Sequence, residues 1–147
     1  MSFLSYLING VSLGSIYAII ALGYTMVYGI AKMLNFAHGD VIMIGAFVVL
    51  NALNVMNLPV IPAILVAVVG CTVLGVVIER VAYRPLRNAS SPLAVLITAI
   101  GVSYLLQNIA LLIFGADTVS FPNRITLPAL SLADGNLVIS SVTIVTI

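Results

Sequence analysis

Apolar residues along this chain fall into long runs that short polar stretches separate. No charged residue occurs in 3–31 or in 41–78. Both runs exceed the roughly 20 residues that a helix needs to cross the hydrocarbon core of a bilayer. The second run is long enough for two crossings, and asparagines and prolines interrupt it between positions 51 and 62. Because these residues break regular helices, the pattern predicts one span at 4–30 and two more at 39–53 and 60–78.

The rest of the chain carries one more clear apolar run. Residues 93–114 predict a fourth span, whose several polar side chains favour the interior of a bundle over lipid. Residues 117–136 are rich in turn formers and predict an extramembrane loop. The apolar stretch 137–147 is too short to cross a bilayer, so we interpret it as the start of a fifth helix. The predicted fold is all-α: a polytopic transmembrane helical bundle in one domain over 1–147, with four complete spans and part of a fifth.

The first and third predicted spans carry small residues at every fourth position. This spacing puts small side chains on one helical face, where the backbone of another helix can approach closely. We therefore predict that these faces pack against neighbouring helices. The residues concerned are Gly10, Gly14 and Ala18 in the first span and Ala63, Ala67, Cys71 and Gly75 in the third.

The composition excludes a soluble globular domain. Of the 147 residues, 63% are hydrophobic and only 6% are charged, whereas charged residues make up about a quarter of an ordinary globular domain. The N-terminal run lacks the cationic start and short apolar core of a secretory signal, so we expect it to be retained as a helix. Nucleic acid is not an expected partner, because the net charge is +1 and no aromatic groove accompanies the arginines.

The distribution of arginines predicts the orientation in the membrane. Arg80, Arg84 and Arg87 occur in the loop 79–92, whereas 117–136 has one arginine and two aspartates. Since cytoplasmic loops carry the excess of Lys and Arg, the loop 79–92 is expected to be cytoplasmic. Three crossings before it would leave the N-terminus on the outer side of the membrane. If the second span is instead a re-entrant half helix, only two crossings precede the loop and the N-terminus is cytoplasmic.

The most informative polar stretch is 32–40, KMLNFAHGD, which lies between two apolar spans and contains the only histidine of the chain. One interpretation is a short cytoplasmic turn in which Asn35 caps the next helix and Asp40 complements its positive end. The other is a discontinuous helix whose exposed N–H groups line a solute path, with His38 and Asp40 facing the bundle interior. The sequence leaves both interpretations open.

Residues of this stretch and of the fourth span are the candidates for lining such a path. They are Asn35, Phe36, His38, Gly39, Asp40, Thr98 and Gln107. A metal site is not expected, because a stable one needs three or four ligands and the chain has no second histidine. No catalytic residue is expected either, because the histidine lacks a second base and a nucleophile-elbow pattern.

Two blocks of the sequence resemble a known family. They are GSIYAIIALGYTMVYGIAKMLNFAHGDVIMIGAF and IERVAYRPLRNASSPLAVLITAIGVSYLLQN. They are similar to the permeases of high-affinity branched-chain amino acid ABC transporters, and most to the smaller, LivH-type subunit. The resemblance extends through about position 121. Because members of the family are about twice as long, the chain is expected to be the N-terminal half or a truncated form.

The resemblance implies a subunit of a bacterial inner-membrane importer. Its partners would be a second permease, two cytoplasmic ATPases, a periplasmic substrate-binding protein and membrane lipid. The chain would form part of the translocation path and bind no cofactor of its own, since ATP and Mg²⁺ belong to the ATPases. The arginines of the loop 79–92 would act as topological anchors, or as a secondary contact with acidic residues of a partner.

Other functions fit parts of the same pattern. A related permease for urea or short amides would share the resemblance. A truncated accessory or structural membrane protein, without independent transport, would pack against partners through Gly10 and Gly14. A channel is less favoured, because no charged ring or filter repeat such as TVGYG occurs.

Overall fold

The computed structural model describes residues 3–88, 90–121, 130–132 and 137–139. They fall into two compact units, one within Met1–Gly29 and Asn123–Ile147 and the other within Ile30–Pro122.

The first helix, α1, covers Phe3–Ala31 and has no buried residue. Two of its polar side chains are satisfied within the helix itself. The hydroxyls of Ser15 and Thr25 each donate at 2.8 Å to the carbonyl four residues earlier. Such internal hydrogen bonds suit a helix in lipid, where no water is present to pair with polar groups.

The predicted start of a fifth helix at 137 is wrong for the residues that the structure describes there. Leu137–Ile139 forms a strand, β2, which pairs in antiparallel fashion with β1, Leu130–Leu132. The intervening sequence contains Asp134-Gly135, a dipeptide that hairpin turns favour, and aliphatic residues flank it on both sides. The remainder of that predicted span, 140–147, and most of the predicted loop 117–136 lie outside the described residues.

The second unit contains three helices. They are α2 over His38–Asn54, α3 over Val60–Ile78 and α4 over Pro92–Phe114. Without a break, α3 continues into a π-helical turn, Glu79–Tyr83, and a 3₁₀ turn, Arg84–Leu86.

Local sequence explains where these helices begin and end. Pro85 lacks an N–H and so cannot extend the regular α-helical pattern. The hydroxyl of Ser91 accepts the N–H of Leu93 at 3.2 Å, which caps α4, and Pro92 occupies the first helical position, where no N–H is needed. Gly115 ends α4 with a φ of 82°, a conformation that glycine adopts easily.

Within the second unit, α2 packs against both α3 and α4. The main core surrounds Ala37, which is fully buried, and includes Ile78, Tyr83, Ala99 and Leu106. A smaller core at the other end of α2 joins Ala52 and Leu53 to Ala63 near the start of α3. These two clusters show that α2 and α3 run in opposite directions.

Three helical segments are long and apolar enough to cross a membrane: Phe3–Ala31, Val60–Leu86 and Pro92–Phe114. The second predicted span, 39–53, corresponds to α2, which has 17 residues. It is shorter than the roughly 20 residues of an ordinary crossing. The fold is thus a helical membrane architecture with three candidate spans and one short apolar helix among the described residues.

Candidate functional site

The connection between α1 and α2 is organised by the side chain of Asn35. Its Oδ1 atom accepts the N–H of Ala37 at 3.0 Å and the hydroxyl of Tyr83 at 2.8 Å. Its main-chain oxygen accepts the N–H of His38 at 3.2 Å. The N-cap position of α2 is Ala37, which makes no side-chain cap bond. Asn35 therefore closes the turn before the helix instead of capping it as the turn interpretation predicted.

Asp40, in the first turn of α2, joins two side chains of α4. Its Oδ2 accepts a hydrogen bond from the hydroxyl of Ser103, and its Oδ1 accepts one from Gln107 Nε2 at 3.0 Å. Gln107 Nε2 also lies 3.3 Å from the Ser103 hydroxyl. Asp40 is only 9% exposed, and it is the buried charged residue of the described part of the chain. We refer to Asp40, Ser103 and Gln107 as the polar triad.

The polar triad lies well inside the length of α4. Ser103 and Gln107 follow the first residue of α4 by 11 and 15 positions. At 1.5 Å per residue, these positions lie about 17 and 23 Å along the helix. The first turn of α2 is therefore level with the middle of α4.

The other path candidates differ in their surroundings. Phe36 is 51% exposed, and Gly39 is exposed, with nothing within 4 Å of a Cβ built on it. His38 is half-buried and takes part in an interaction of its own. Thr98 donates its hydroxyl to the carbonyl of Ala94 at 2.9 Å, within α4. The structure thus brings Asp40 and Gln107 together but ties Thr98 to its own helix.

The small-residue face of α3 contacts α2 over part of its length. Ala63 and Ala67 are buried, and Cys71 Sγ lies 3.7 Å from the carbonyl oxygen of Val41. A Cβ built on Gly45 of α2 would lie 2.9 Å from the same sulfur. Gly75, the last residue of this face, is exposed, and a Cβ there would meet nothing within 4 Å.

The small residues predicted to pack in α1 are exposed. They are Gly10, Gly14 and Ala18. A Cβ built on either glycine would meet nothing within 4 Å among the described residues. The packing role of this face stays a prediction.

The arginines lie on the extension of α3 and just beyond it. Arg87 Nη2 forms an ion pair with Glu79 Oε1 at 2.7 Å, and both side chains are well exposed. Such an exposed pair contributes little to stability, about 0–1 kcal/mol. Arg80 and Arg84 are also exposed. Elsewhere in the described segments, no group of three His, Cys, Asp or Glu side chains is placed to hold a metal ion.

Two residues of the site were not among the predicted candidates. Ser103 is a half-buried donor to Asp40, and Tyr83 anchors Asn35. A signal for Ser103 exists in the sequence, because it precedes Gln107 by four positions and so shares its helical face. Tyr83 carries no such signal, since its partner is 48 positions away.

A groove opens where α2 and α4 end. It has a volume of about 260 Å³, and its lining includes Phe47, Leu50, Asn51, Asn54 and Phe114. The rings of Phe47 and Phe114 stack with centroids 4.6 Å apart and planes inclined by 7°.

Comparisons with known proteins give a consistent result. The family model described as "Branched-chain amino acid transport system / permease component" matches residues 6–145. The LivH permease proteins of the high-affinity branched-chain amino acid transport systems of Salmonella typhimurium and Escherichia coli K12 are 48% and 49% identical to this chain. Each alignment covers 129 residues, 82% of this chain and 42% of the relative.

A third relative comes from a different genus. The corresponding BraD protein of Pseudomonas aeruginosa is 48% identical over 118 residues, which are 75% of this chain and 38% of the relative. The chain thus spans less than half the length of the curated relatives it matches. No solved structure matches it. With nearly all of its residues matched by one family model, the chain belongs to the family of permease components of branched-chain amino acid transport systems.

Proposed function

We propose that this chain is a membrane-spanning permease subunit of an ABC importer for branched-chain amino acids and forms part of the translocation path. The observation that carries this proposal is its similarity to permeases named for that transport. Three helices suitable for crossing a membrane agree with it. The chain would reside in the bacterial inner membrane as a multi-pass protein.

The segment 32–40 is membrane-embedded in this proposal. Three observations support a discontinuous helix over a surface turn: the burial of Ala37, the hydrogen bond from Tyr83 to Asn35, and the position of Asp40 beside the middle of α4. A connection at the membrane surface would face water, and its polar groups would need no partners from the spans.

The short helix α2 counts as a crossing in this arrangement. It starts from the side of Tyr83, next to the arginines, and ends beside Ala63 near the start of α3. It thereby carries the chain to the face opposite the arginine loop. With 79–92 in the cytoplasm, three crossings precede the loop and the N-terminus is periplasmic.

The polar triad is the proposed site on the path. A carboxylate in the hydrocarbon region costs several kcal/mol unless it is paired or hydrated, and such residues in transporters commonly mark the route of the solute. Here two neutral donors hold the carboxylate of Asp40, and Gln107 remains exposed on one side. A polar solute can therefore reach the triad without displacing the surrounding apolar core.

The partners follow from this function. A second permease would complete the path, two ATPases would bind ATP and Mg²⁺, and a periplasmic binding protein would deliver the substrate. ATP would act by favouring one of two permease conformations over the other. Arg80 and Arg84, which are exposed, are available as a secondary contact with an ATPase.

Uptake by cells tests the proposal. Asp40→Asn, introduced into the chromosomal gene, is expected to lower the initial rate of labelled leucine uptake by about tenfold or more, a loss of ~1.4 kcal/mol in transition-state stabilisation. The protein level in membranes is measured in parallel. Thr72→Val is the matched control, because the Thr72 hydroxyl bonds only to Val68 of its own helix among the described contacts.

The outcomes separate the candidate substrates. Unlabelled isoleucine and valine are expected to compete with leucine, whereas urea and acetamide are not. Competition by urea alone would assign the chain to a related transport function. Unchanged leucine uptake in a deletion of the gene would overturn the proposal. Unchanged uptake in both Asp40→Asn and His38→Ala would show that the segment 32–40 is a structural turn and not part of the path.

A further inference from the structure

The groove at the ends of α2 and α4 combines an aromatic wall with two amides. Phe47 and Phe114, one from each helix, form a stacked pair, and Leu50 and Ile113 add aliphatic surface. Asn51 and Asn54 contribute the polar groups of the lining. An apolar concavity with a few well-placed polar groups is the usual character of a small-molecule site.

The two amides differ from the side-chain amides of α4. Gln107 donates to Asp40, and Asn108 donates to the carbonyl of Tyr104 at 2.7 Å. Among the hydrogen bonds within the described residues, none involves the side chain of Asn51 or Asn54. Their hydrogen-bonding capacity is directed to whatever occupies the groove or to solvent.

We infer that this groove is the first binding place for the aliphatic amino acid on the permease, an assignment that rests on the proposed function. The apolar walls take the branched side chain. The amides of Asn51 and Asn54 donate to the α-carboxylate and accept from the α-ammonium, because a side-chain amide offers both a donor and an acceptor.

The size of the groove fits this ligand. Its 260 Å³ lies just below the roughly 300–1,000 Å³ of pockets that hold drug-sized molecules. A single amino acid is smaller than such molecules, whereas a peptide or an acyl chain would extend beyond the lining. Polar groups at one part of an apolar surface match an amphipathic ligand better than a wholly apolar one.

The location of the groove also suits a site of entry. It lies at the ends of α2 and α4 that are opposite the arginine loop, which is the periplasmic side in the proposed orientation. Phe47, Asn51 and Asn54 follow Asp40 by 7, 11 and 14 positions, so all four lie along one stripe of α2. The polar triad lies further along this stripe, with Asp40 about 11 Å from Phe47 along the axis of α2.

Photo-crosslinking tests the assignment directly. Membrane vesicles that contain the assembled transporter are irradiated with photo-leucine, a diazirine analogue of leucine, and the labelled peptides are identified by mass spectrometry. Label is expected in the peptides that contain 47–55 and 113–119. An excess of leucine should remove it, and an excess of urea should not. Label that is absent from these peptides, or that leucine does not remove, would overturn the assignment.

Substitutions give a second, independent measurement. The double variant Asn51→Ala and Asn54→Ala is expected to lower the labelling of the groove. It should raise the KM of leucine uptake by about 5- to 150-fold, since each amide supplies one net hydrogen bond and the two losses multiply. The maximal rate should stay near that of the wild type. Asn108→Ala is the matched control, because its amide is used within α4.

The same measurements distinguish a failure of this inference from a failure of the proposed function. If leucine uptake requires the gene but the double variant has an unchanged KM and unchanged labelling, the groove is not a substrate site and the permease function stands. If leucine uptake does not depend on the gene at all, the proposed function fails, and the assignment of the groove fails with it.

Discussion

Tyr83 donates its hydroxyl to the side-chain oxygen of Asn35 at 2.8 Å, across 48 positions of sequence. This hydrogen bond ties the connection before α2 to the end of the α3 extension. On the other side of the same connection, Asp40 is tied to α4 through the polar triad. The segment between α1 and α2 is thus hydrogen-bonded to the α3 extension before the start of α2 and to α4 just after it.

Removal of the Tyr83 hydroxyl should loosen this connection. Tyr83→Phe leaves the buried ring in place but takes away the donor to Asn35, so we expect a loss of about 0.5–1.5 kcal/mol in stability. The measurement is thermal unfolding of the purified protein in nanodiscs. Tyr104→Phe is the control, because that ring is 63% exposed. An equal effect of both substitutions would contradict a specific role for the Tyr83 hydroxyl.

The polar triad should behave as a coupled unit. Ser103→Ala removes one donor from the buried Asp40 carboxylate, and a hydrogen bond to a charged group contributes about 1.5–3 kcal/mol. Asp40→Asn should weaken the same contact, so the double variant should cost less than the sum of the single ones. A cycle of unfolding measurements on the four proteins gives the coupling energy. Strict additivity would show that Ser103 and Asp40 do not stabilise each other.

Gly45 should tolerate a methyl group only when Cys71 is shortened. In the wild-type chain, Gly45→Ala would put a Cβ 2.9 Å from Cys71 Sγ, so we expect destabilisation by about 1–3 kcal/mol. In a Cys71→Ala background the sulfur is gone, and alanine should regain up to ~1 kcal/mol of helix propensity over glycine.

Thermal unfolding checks the sign of this effect in the two backgrounds. Gly75→Ala serves as a control on the partner helix, because a Cβ there meets nothing within 4 Å. The same sign of effect for Gly45→Ala in both backgrounds would show that contact with Cys71 does not restrict this position.

The proposed orientation predicts which loops are accessible from outside the cell. In a Cys71→Ala background, which removes the only thiol, a membrane-impermeant maleimide should label Met56→Cys in intact spheroplasts. It should label Asn88→Cys only after permeabilisation, because the arginine loop is expected in the cytoplasm. Labelling of Asn88→Cys in intact spheroplasts would reverse the orientation.

Much of the helical architecture could be predicted from the sequence. The lack of charge in 3–31 and 41–78 leaves these runs no stable environment except a membrane or a core. The end of α2 and the start of α3 follow from local chemistry, because Asn54, Asn57 and Pro59 interrupt a regular helix between them. The cap of α4 by Ser91 is a local feature of the same kind. Such signals act within a few residues, so no tertiary information is needed to detect them.

The hairpin was predictable only in part. Asp134-Gly135 is a local turn signal, but the strands on either side are 3 residues each. Runs of that length cannot be told from the start of a helix by periodicity. Apolarity alone therefore gave the wrong element at 137.

The sequence by itself determined the membrane class, the breaks between helices and the family. It also singled out 32–40 and the polar face of α4, since polar groups are conspicuous in an apolar chain. Only the tertiary structure decided that Asp40 meets Ser103 and Gln107, that Tyr83 holds Asn35, and that Phe47 stacks on Phe114. These contacts depend on the axial offset between packed helices. That offset is set by side-chain packing between distant segments, and no pattern within a single helix encodes it.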